Sequence, residues 1–455
     1  MTRGVPVGAT VRVDVGDSER CLAVCDRFGL DRSSVRTLLA DARVPTDGLV
    51  FVTGPSGAGK STLLRQVLAR DPRFRPLPDD VDPTLAPVDL VDGPLPEALE
   101  LLAEAGLAEG PALVTPYAHL SDGQKYRVRL ARLLASGATH LCVDEFLTAL
   151  DRTAARSLAW RFQRLCRRRG LRAIVASSHD DLVDAFGPDH LVRVDLGGAV
   201  RVEPHGPPTR PFAGELEVAE GTLDDYLALR RWHYLTGDDE PVDLGDRIAA
   251  IPVVRHRGAP VAVRVQVRPY SSLQAEWVPA FARINERLCL NHRTIVHPSY
   301  RGLSLTRQLD PDPVRGVRVV LSRSAMSRSW PFQRAAGYVP VDLPFNDPLP
   351  EQRTLAALFG DLRLDLHDPA AVRVALQGLP GDVRARIEAL ARGLFVRKMT
   401  AWAGFLADLV DVPIEPEEVA ELYDGLVVAG ALEPWEVVPE AVPYPMTGLM
   451  RRVAP

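Results

Sequence analysis

The segment Gly54 to Ser61, which reads GPSGAGKS, constrains this chain more than any other feature. It follows an apolar run, GLVFVT, and precedes STLLRQVLAR, whose leucines and valine recur at helical spacing. A G-x-x-x-x-G-K-[ST] loop between a strand and a helix indicates a polyphosphate site, because its backbone N–H groups close around phosphate oxygens at a helix N-terminus. Lys60 is expected to contact the β- and γ-phosphates, and the Ser61 hydroxyl to bind Mg²⁺. An ordinary glycine-rich turn is the weaker alternative.

An acidic pair, Asp144 and Glu145, ends a second apolar run, HLCVDE (140–145). Next to a phosphate loop, Asp144 is expected to complete the Mg²⁺ shell and Glu145 to polarise the attacking water. Taken alone, such a pair more often begins a solvated loop. Lysine occurs only three times in the 455 residues, whereas arginine supplies the other 51 basic residues, and this rarity singles out Lys60.

Strand-like and helix-like patterns alternate up to residue 205. Helices are expected at 94–107, 121–137 and 152–169, and buried strands at 140–145 and 171–178. This alternation predicts a doubly wound α/β domain at 1–205. A linker rich in glycine and proline is expected at 206–221, an α+β domain at 222–349, and a mainly helical extension at 350–455 whose tail after 435 is loosely ordered.

The motifs of residues 48–180 resemble those of the ABC-type ATPases. Leu120 to Gln124, LSDGQ, is similar to their LSGGQ signature; Asp151 is similar to the residue ending the loop after the acidic pair, and His179 to their switch histidine. The resemblance implies a head-to-tail homodimer, formed with ATP and Mg²⁺, in which Glu145 and His179 serve catalysis. The implied ATP-binding residues of one chain are Gly54, Pro55, Ser56, Gly57, Ala58, Gly59, Lys60, Ser61 and Thr62, and those contributed by its partner copy are Ser121, Gly123, Gln124 and Asp151.

The chain departs from that family at two places. Asp122 stands where the signature usually has glycine, so it brings a carboxylate near a phosphate. The glutamine expected between the phosphate loop and the signature is missing, because no glutamine occurs between Gln66 and Gln124. Asp89 is the substitute suggested by the sequence.

The stretch TIVHPSYRGLSLTRQL (294–309) resembles the acyl-CoA loop of GNAT-type N-acyltransferases. The resemblance implies that backbone N–H groups of Arg301, Gly302, Leu303 and Ser304 bind the pyrophosphate of acetyl-CoA or another acyl-CoA. WPFQRAAGYVPVDL (330–343) is similar to a second GNAT stretch, with Phe332 where that family often has its proton-donating tyrosine. Ser304 likewise stands where glycine or alanine is usual.

An ABC ATPase followed by a GNAT-like domain resembles a family of soluble ATPase–acetyltransferase fusions, on the wording LSDGQKYRVRLA and RWHYL (231–235). That family's distant similarity to an enzyme that modifies adenine in DNA implies a nucleic acid as a conceivable substrate. Two features of the chain offer little support. Arginines such as those of RFQRLCRRRGLR (161–172) more often complement the dipole at the end of a helix than bind nucleic acid. Side chains such as Trp232, His233 and Tyr234 more often pack in a core than stack on a base.

Composition excludes several classes. The net charge of −5 argues against a bulk polyanion binder. No apolar run approaches 18 residues, and the first 20 residues lack the apolar core of a signal peptide. Five scattered cysteines predict no disulfide framework. A cytoplasmic protein without membrane insertion is therefore expected. The leading hypothesis is an ATPase whose ATP-driven dimerisation controls a fused acyltransferase. The alternatives are an ATP-gated binding platform without catalysis for nucleic acid or protein and, less favoured, the ATP-binding subunit of a transporter.

Overall fold

The computed structural model describes residues 4–233, 245–309, 314, 316–324, 336–344, 349–361, 374–428 and 447–452. The chain divides into two compact units. The first unit consists of Met1–Leu216 together with Val296–Leu305, and the second of Glu217–Ile295 and Thr306–Pro455. The chain therefore leaves the second unit for ten residues after Ile295, joins the first unit, and then returns.

The first unit alternates strands and helices after an N-terminal antiparallel pair. Its elements are β1 (Gly4–Asp14), α1 (Glu19–Phe28), β2 (Ser33–Pro45), β3 (Leu49–Thr53), α2 (Lys60–Arg70), β4 (Phe74–Pro76), α3 (Pro87–Leu90), α4 (Leu95–Glu104), α5 (Gly110–Val114), α6 (Asp122–Ala135), β5 (His140–Val143), α7 (Arg152–Arg169), β6 (Arg172–Ser177), α8 (Val183–Phe186), β7 (His190–Val194) and β8 (Val200–Pro204). The expected doubly wound core is present, and α7 covers the predicted span of 152–169.

The central sheet of the first unit has the order β4-β5-β6-β3-β7-β8, and all its neighbours are parallel except the edge pair β7–β8. β3, which leads into the phosphate loop, lies between β6 and β7. Both of its faces are covered: Leu49 and Phe51 pack in the core formed with α6 and α7, whereas Val50 and Val52 pack in the core formed with α2. Because successive side chains of a strand point to opposite faces, this two-sided burial explains why the run GLVFVT is apolar throughout.

The second unit combines one mixed sheet with long helices. Its elements are β9 (Leu216–Glu220), α9 (Leu223–Arg230), β10 (Ile248–Ala250), β11 (Pro252–His256), β12 (Ala259–Val267), α10 (Ser272–Trp277), α11 (Pro279–Arg287), β13 (Leu288–Val296), α12 (Leu305–Gln308), β14 (Val319–Ser324), β15 (Val339–Val341), α13 (Pro350–Asp361), α14 (Gly381–Val410), α15 (Pro416–Val428) and β16 (Thr447–Arg452). The sheet runs β15-β16-β14-β13-β12-β11-β9, with β10 paired to β12. A hairpin turn at Arg257 and Gly258 joins β11 to β12, and both turn residues have positive φ.

The unit boundary falls at Leu216, inside the stretch 206–221 that the sequence indicates as a linker. Residues 350–455 belong to the second unit and do not form a separate extension. One reason is β16, which pairs antiparallel with both β14 and β15 and so ties the expected loose tail into the sheet. Of the helices in the described ranges, none is both long enough and apolar enough to cross a bilayer.

Candidate nucleotide-binding site

The phosphate loop joins β3 to α2 through three glycines with positive φ. Gly54 has φ 152°, Gly57 80° and Gly59 98°, a backbone region that other residues adopt only with strain. At Gly54 the space is also closed, because an added Cβ would lie 2.0 Å from the carbonyl oxygen of Val194 on β7. Glycine at this position is therefore required by the packing of the loop against the sheet.

Lys60 is the first residue of α2 and folds back over the loop. Its Nζ donates to the carbonyl oxygens of Gly54 at 2.7 Å and Pro55 at 2.8 Å. The ammonium group is thus held by the loop's own backbone. Of the other predicted loop residues, Pro55, Ser56, Gly57 and Ser61 are exposed, Gly59 and Thr62 half-buried, and Ala58 buried.

Asp144 and Glu145 follow β5 directly, in a tight turn. The backbone N–H of Glu145 donates to Oδ1 of Asp144 at 2.9 Å, and the Thr148 hydroxyl lies 3.1 Å from Oε2 of Glu145. Glu145 has φ 52°, the left-handed region that costs a non-glycine residue about 1–2 kcal/mol. The turn therefore holds Glu145 in a backbone conformation that a non-glycine residue disfavours.

Two residues that sequence reasoning did not single out fix this turn. Phe146 is fully buried and its N–H donates to the carbonyl oxygen of Ala176 on β6 at 2.7 Å. Its ring packs on Phe51 and Phe186, with centroids 6.4 and 5.6 Å away. The Tyr126 hydroxyl on α6 accepts from the N–H of Leu147 at 3.3 Å, and burial raises the pKa of Tyr126. Because Phe146 is anchored in the core, Glu145 is turned out of it.

A cavity of about 480 Å³ in the first unit joins the phosphate loop to the acidic pair. Ser61, Asp144 and Glu145 all line it, together with Asp122, Lys125 and Arg129 of α6. A hydroxyl and a carboxylate are hard oxygen donors, and Mg²⁺ is usually bound by one or two carboxylates plus substrate phosphates. Ser61 and Asp144 therefore fit Mg²⁺, although the described residues contain no cluster of three metal-ligating side chains.

Asp89 as the replacement for the missing glutamine stays a prediction. Asp89 lies exposed on the short helix α3 and is not among the described residues that line the cavity. Asp79 does line it, three residues after β4, the parallel neighbour of β5. Its carboxylate pairs with the guanidinium of Arg129. The pairing of β4 with β5 thus brings Asp79 to the described lining of the cavity.

The signature segment caps α6. Ser121 is the N-cap: its Oγ accepts from the N–H of Gln124 at 3.3 Å, and the Gln124 side chain accepts from the Ser121 N–H at 3.0 Å. Gly123 packs against Leu150, since an added Cβ would lie 2.7 Å from its Cδ2. Among the described lining residues of the cavity, Asp122 is present but Ser121, Gly123 and Gln124 are not. These three residues are thus not brought to the phosphate loop of their own chain.

Asp151 and His179 are also placed outside the cavity lining of the described chain. Asp151 is the N-cap of α7, where Oδ1 accepts from the N–H of Ala154 at 2.9 Å and Oδ2 from the Ser299 hydroxyl at 3.2 Å. His179 is half-buried just after β6, and its N–H donates to the Ser177 hydroxyl at 3.3 Å.

The predicted acyl-CoA loop packs within the first unit. The Arg301 N–H donates to the Pro298 carbonyl at 3.3 Å, and the Leu303 carbonyl accepts from the guanidinium of Arg210. Gly302 and Ser304 have positive φ, 87° and 56°. The binding of acyl-CoA by the four amides of Arg301, Gly302, Leu303 and Ser304 stays a prediction. Phe332 and Tyr234 lie outside the described residues.

No protein-family model matches the chain. Curated proteins match part of the chain. The chain is 30% identical over 221 residues to the aliphatic sulfonates import ATP-binding protein SsuB 1 of Mesorhizobium japonicum, covering 41% of this chain and 81% of that protein. It is 30% identical over 260 residues to the hemin import ATP-binding protein HmuV of Streptomyces coelicolor, covering 48% and 83% respectively.

A third relative, the molybdenum import ATP-binding protein ModC of Rhodopseudomonas palustris, is 30% identical over 247 residues, which are 44% of this chain and 61% of that protein. Among solved structures, a dimeric ATP-binding cassette, MJ0796, bound to ADP and phosphate, is 19% identical with a TM-score of 0.34. That match covers 45% of this chain and 98% of the other.

Proposed function

The chain belongs to the ABC-type ATPases, and on that premise we propose that its first unit binds and hydrolyses Mg-ATP at sites shared by two copies of the chain. One observation carries the proposal: Ser61 of the phosphate loop and the acidic pair after β5 line a single cavity. Phosphoryl transfer to water needs two parts, a site that binds the triphosphate and a carboxylate next to it.

Each residue has a separate role in the proposed reaction. The loop amides and the Lys60 ammonium bind the β- and γ-phosphates, and Ser61 and Asp144 hold Mg²⁺, which when bound neutralises charge on the phosphates. Glu145 accepts a hydrogen bond from the attacking water and orients it, since its carboxylate lies beside Asp144 at the cavity. His179, which lies just after the end of β6, is proposed to contact the γ-phosphate.

The sharing of sites between copies rests on the signature segment. Ser121 is exposed at the N-terminus of the 14-residue helix α6, where unsatisfied N–H groups favour an anion. It does not line the cavity of its own chain, in the part that the structure describes. A second copy arranged head to tail presents Ser121, Gly123 and Gln124 to the first copy's triphosphate, and a closed twofold pair satisfies both sites at once.

Mixing two inactive variants tests this arrangement. Ser121→Asp keeps a good helix N-cap but places a carboxylate against the triphosphate, and Lys60→Ala removes the phosphate contact. Each variant alone is expected to lose nearly all hydrolysis. An equal mixture is expected to recover about a quarter of the wild-type rate, because half of the pairs are mixed and each mixed pair holds one intact site.

Phosphate release measures the result, with Ser121→Thr as the matched control that retains both the cap and the hydroxyl. If the mixture stays as inactive as its components, each chain works alone and the shared site is rejected. If Ser121→Asp alone keeps the wild-type rate, the signature segment has no part in hydrolysis.

A second activity, N-acyl transfer by the second unit, has one feature in its favour. β13 and β14 pair in parallel only from Leu288 to Asn291, although β13 continues beyond that point. Ligands of parallel sheets bind beyond the carboxyl ends of strands that separate in this way. ATP-driven pairing is proposed to control this transfer, with acetyl-CoA or another acyl-CoA as donor; a nucleic-acid acceptor rests on the resemblance alone.

Calorimetric titration with acetyl-CoA tests the second activity. Binding in the micromolar range is expected. Absence of heat at millimolar acetyl-CoA contradicts acyl transfer and favours a binding platform gated by ATP.

A transporter subunit remains the second candidate for the whole chain, because the named relatives are import ATP-binding proteins. In that case the chain serves an import system whose membrane subunits are other polypeptides. Their recovery with the tagged chain from detergent-solubilised membranes, and its absence from the soluble fraction, is the outcome that favours this candidate over the fusion enzyme.

A further inference from the structure

Three polar residues lie side by side at the carboxyl ends of three adjacent parallel strands of the first unit. Thr53 is the last residue of β3, and the strand register pairs it with Ser177, the last residue of β6, and with Arg193 of β7. We refer to these three residues as the polar row. The phosphate loop begins directly after Thr53, at Gly54, so the row lies at the base of that loop.

Each member of the polar row contacts the turn that carries His179. The N–H of His179 donates to the Ser177 hydroxyl at 3.3 Å. The next residue, Asp180, accepts a hydrogen bond from the Thr53 hydroxyl through Oδ1, and its Oδ2 lies 3.6 Å from Nη1 of Arg193. The row therefore holds two consecutive residues, the first through its backbone and the second through its carboxylate.

The contact between Thr53 and Asp180 joins a buried hydroxyl to an exposed carboxylate. Thr53 is only 1% exposed, and buried hydroxyls in proteins are normally hydrogen-bonded. The side chain of Asp180 is 65% exposed, so water can solvate it if the contact is lost. The hydrogen bond thus locates the turn relative to β3, and its removal should leave no unsatisfied group in the core.

A second anchor holds the same turn to the start of α7. Nε and Nη2 of Arg152, the first residue of α7, donate to the two carboxylate oxygens of Asp181 at 3.2 and 2.5 Å. A bidentate pair of this kind fixes orientation as well as distance. Leu182, the following residue, is fully buried. Every residue from 179 to 182 is therefore attached to the first unit by a hydrogen bond, an ion pair or core packing.

We propose that Thr53 and Asp180 are positioning residues for ATP hydrolysis, which hold His179 at the γ-phosphate of ATP bound in the phosphate loop. This inference rests on the proposed hydrolysis and on the contact proposed there for His179. One hydrogen bond joins the residue before Gly54 to the residue after His179, so the turn and the loop share a fixed origin. Such fixing speeds a reaction because the freedom of the reacting groups has been lost beforehand.

Thr53→Val tests the proposal, because valine has the same branched shape and lacks the hydroxyl. It is expected to lower kcat for phosphate release about 10- to 100-fold, up to the loss that a misplacement of about 1 Å can cause. Binding of Mg-ATP, measured by equilibrium dialysis, is expected to stay unchanged. Thr53→Ser restores the hydroxyl and should recover most of the rate. Asp184→Ala, an exposed aspartate on α8, is the matched control and should alter neither quantity.

The same changes in a His179→Ala chain separate positioning from a general structural defect. Asp180→Ala alters an exposed side chain, so it covers the case in which Thr53→Val fails to fold, and it is expected to lower kcat in the same way. In the His179→Ala background neither change should lower kcat further, because the group that they position is gone. A structural defect would instead add its own loss in both backgrounds.

Two groups of results overturn the inference. Wild-type kcat for Thr53→Val and Asp180→Ala, or losses that remain as large without His179, reject the positioning role and leave the proposed hydrolysis standing. A wild-type chain that releases no phosphate, or a His179→Ala chain as active as wild type, rejects the corresponding part of the proposed function and the inference with it.

Discussion

Glu145→Gln is expected to lower the rate of ATP hydrolysis about 100- to 10,000-fold while ATP binding is retained, since this is the range that a positioned general base contributes. Glutamine has almost the same shape as glutamate, so the turn held by Phe146 and Tyr126 should persist. What is lost is the negative oxygen that accepts a hydrogen bond from water. The measurement is phosphate release under saturating Mg-ATP.

The same variant is expected to accumulate as an ATP-bound pair of chains. If hydrolysis reopens the shared site, a chain that binds ATP but cannot cleave it remains closed, and light scattering with Mg-ATP should show twice the mass found without nucleotide. Glu97→Gln, an exposed glutamate on α4, is the matched control and should hydrolyse ATP normally. A Glu145→Gln chain with a rate within threefold of wild type would remove Glu145 from the proposed mechanism.

The phosphate loop and the acidic pair could be placed from sequence because their signals are local. Each signal consists of a few consecutive residues: the glycines that adopt positive φ, the lysine that begins α2, and the carboxylate that follows an apolar strand. The same holds for α7, which begins at an aspartate cap and ends at a glycine. Local backbone chemistry therefore predicted the elements that carry these residues.

The features missed by sequence reasoning depend on strand pairing and distant packing. Asp79 enters the cavity because β4 pairs with β5, a contact that no spacing rule reveals. Phe146 orients Glu145 through contacts with β3, β6 and α8. β16 joins a sheet whose other strands lie more than 100 residues earlier in the chain. The location of residues 296–305 in the first unit is likewise a tertiary result.

Lys60→Ala is expected to weaken binding of Mg-ATP about a hundredfold, because a charged group that contacts phosphate contributes about 1.5–3 kcal/mol. In the free protein its Nζ is bound to the carbonyl oxygens of Gly54 and Pro55, so the ammonium group is already located at the loop. Loss of that group leaves the loop amides alone to hold a highly charged ligand. The scarcity of lysine provides a control: Lys398→Ala alters a lysine on α14 in the second unit and should leave ATP binding unchanged.

Equilibrium dialysis of labelled ATP with Mg²⁺ against the wild-type, Lys60→Ala and Lys398→Ala chains measures this directly. The account predicts retention by the wild-type and Lys398→Ala chains and a loss of about two orders of magnitude for Lys60→Ala. Failure of the wild-type chain to retain ATP, or equal retention by all three, would contradict the assignment of the phosphate loop as the nucleotide site.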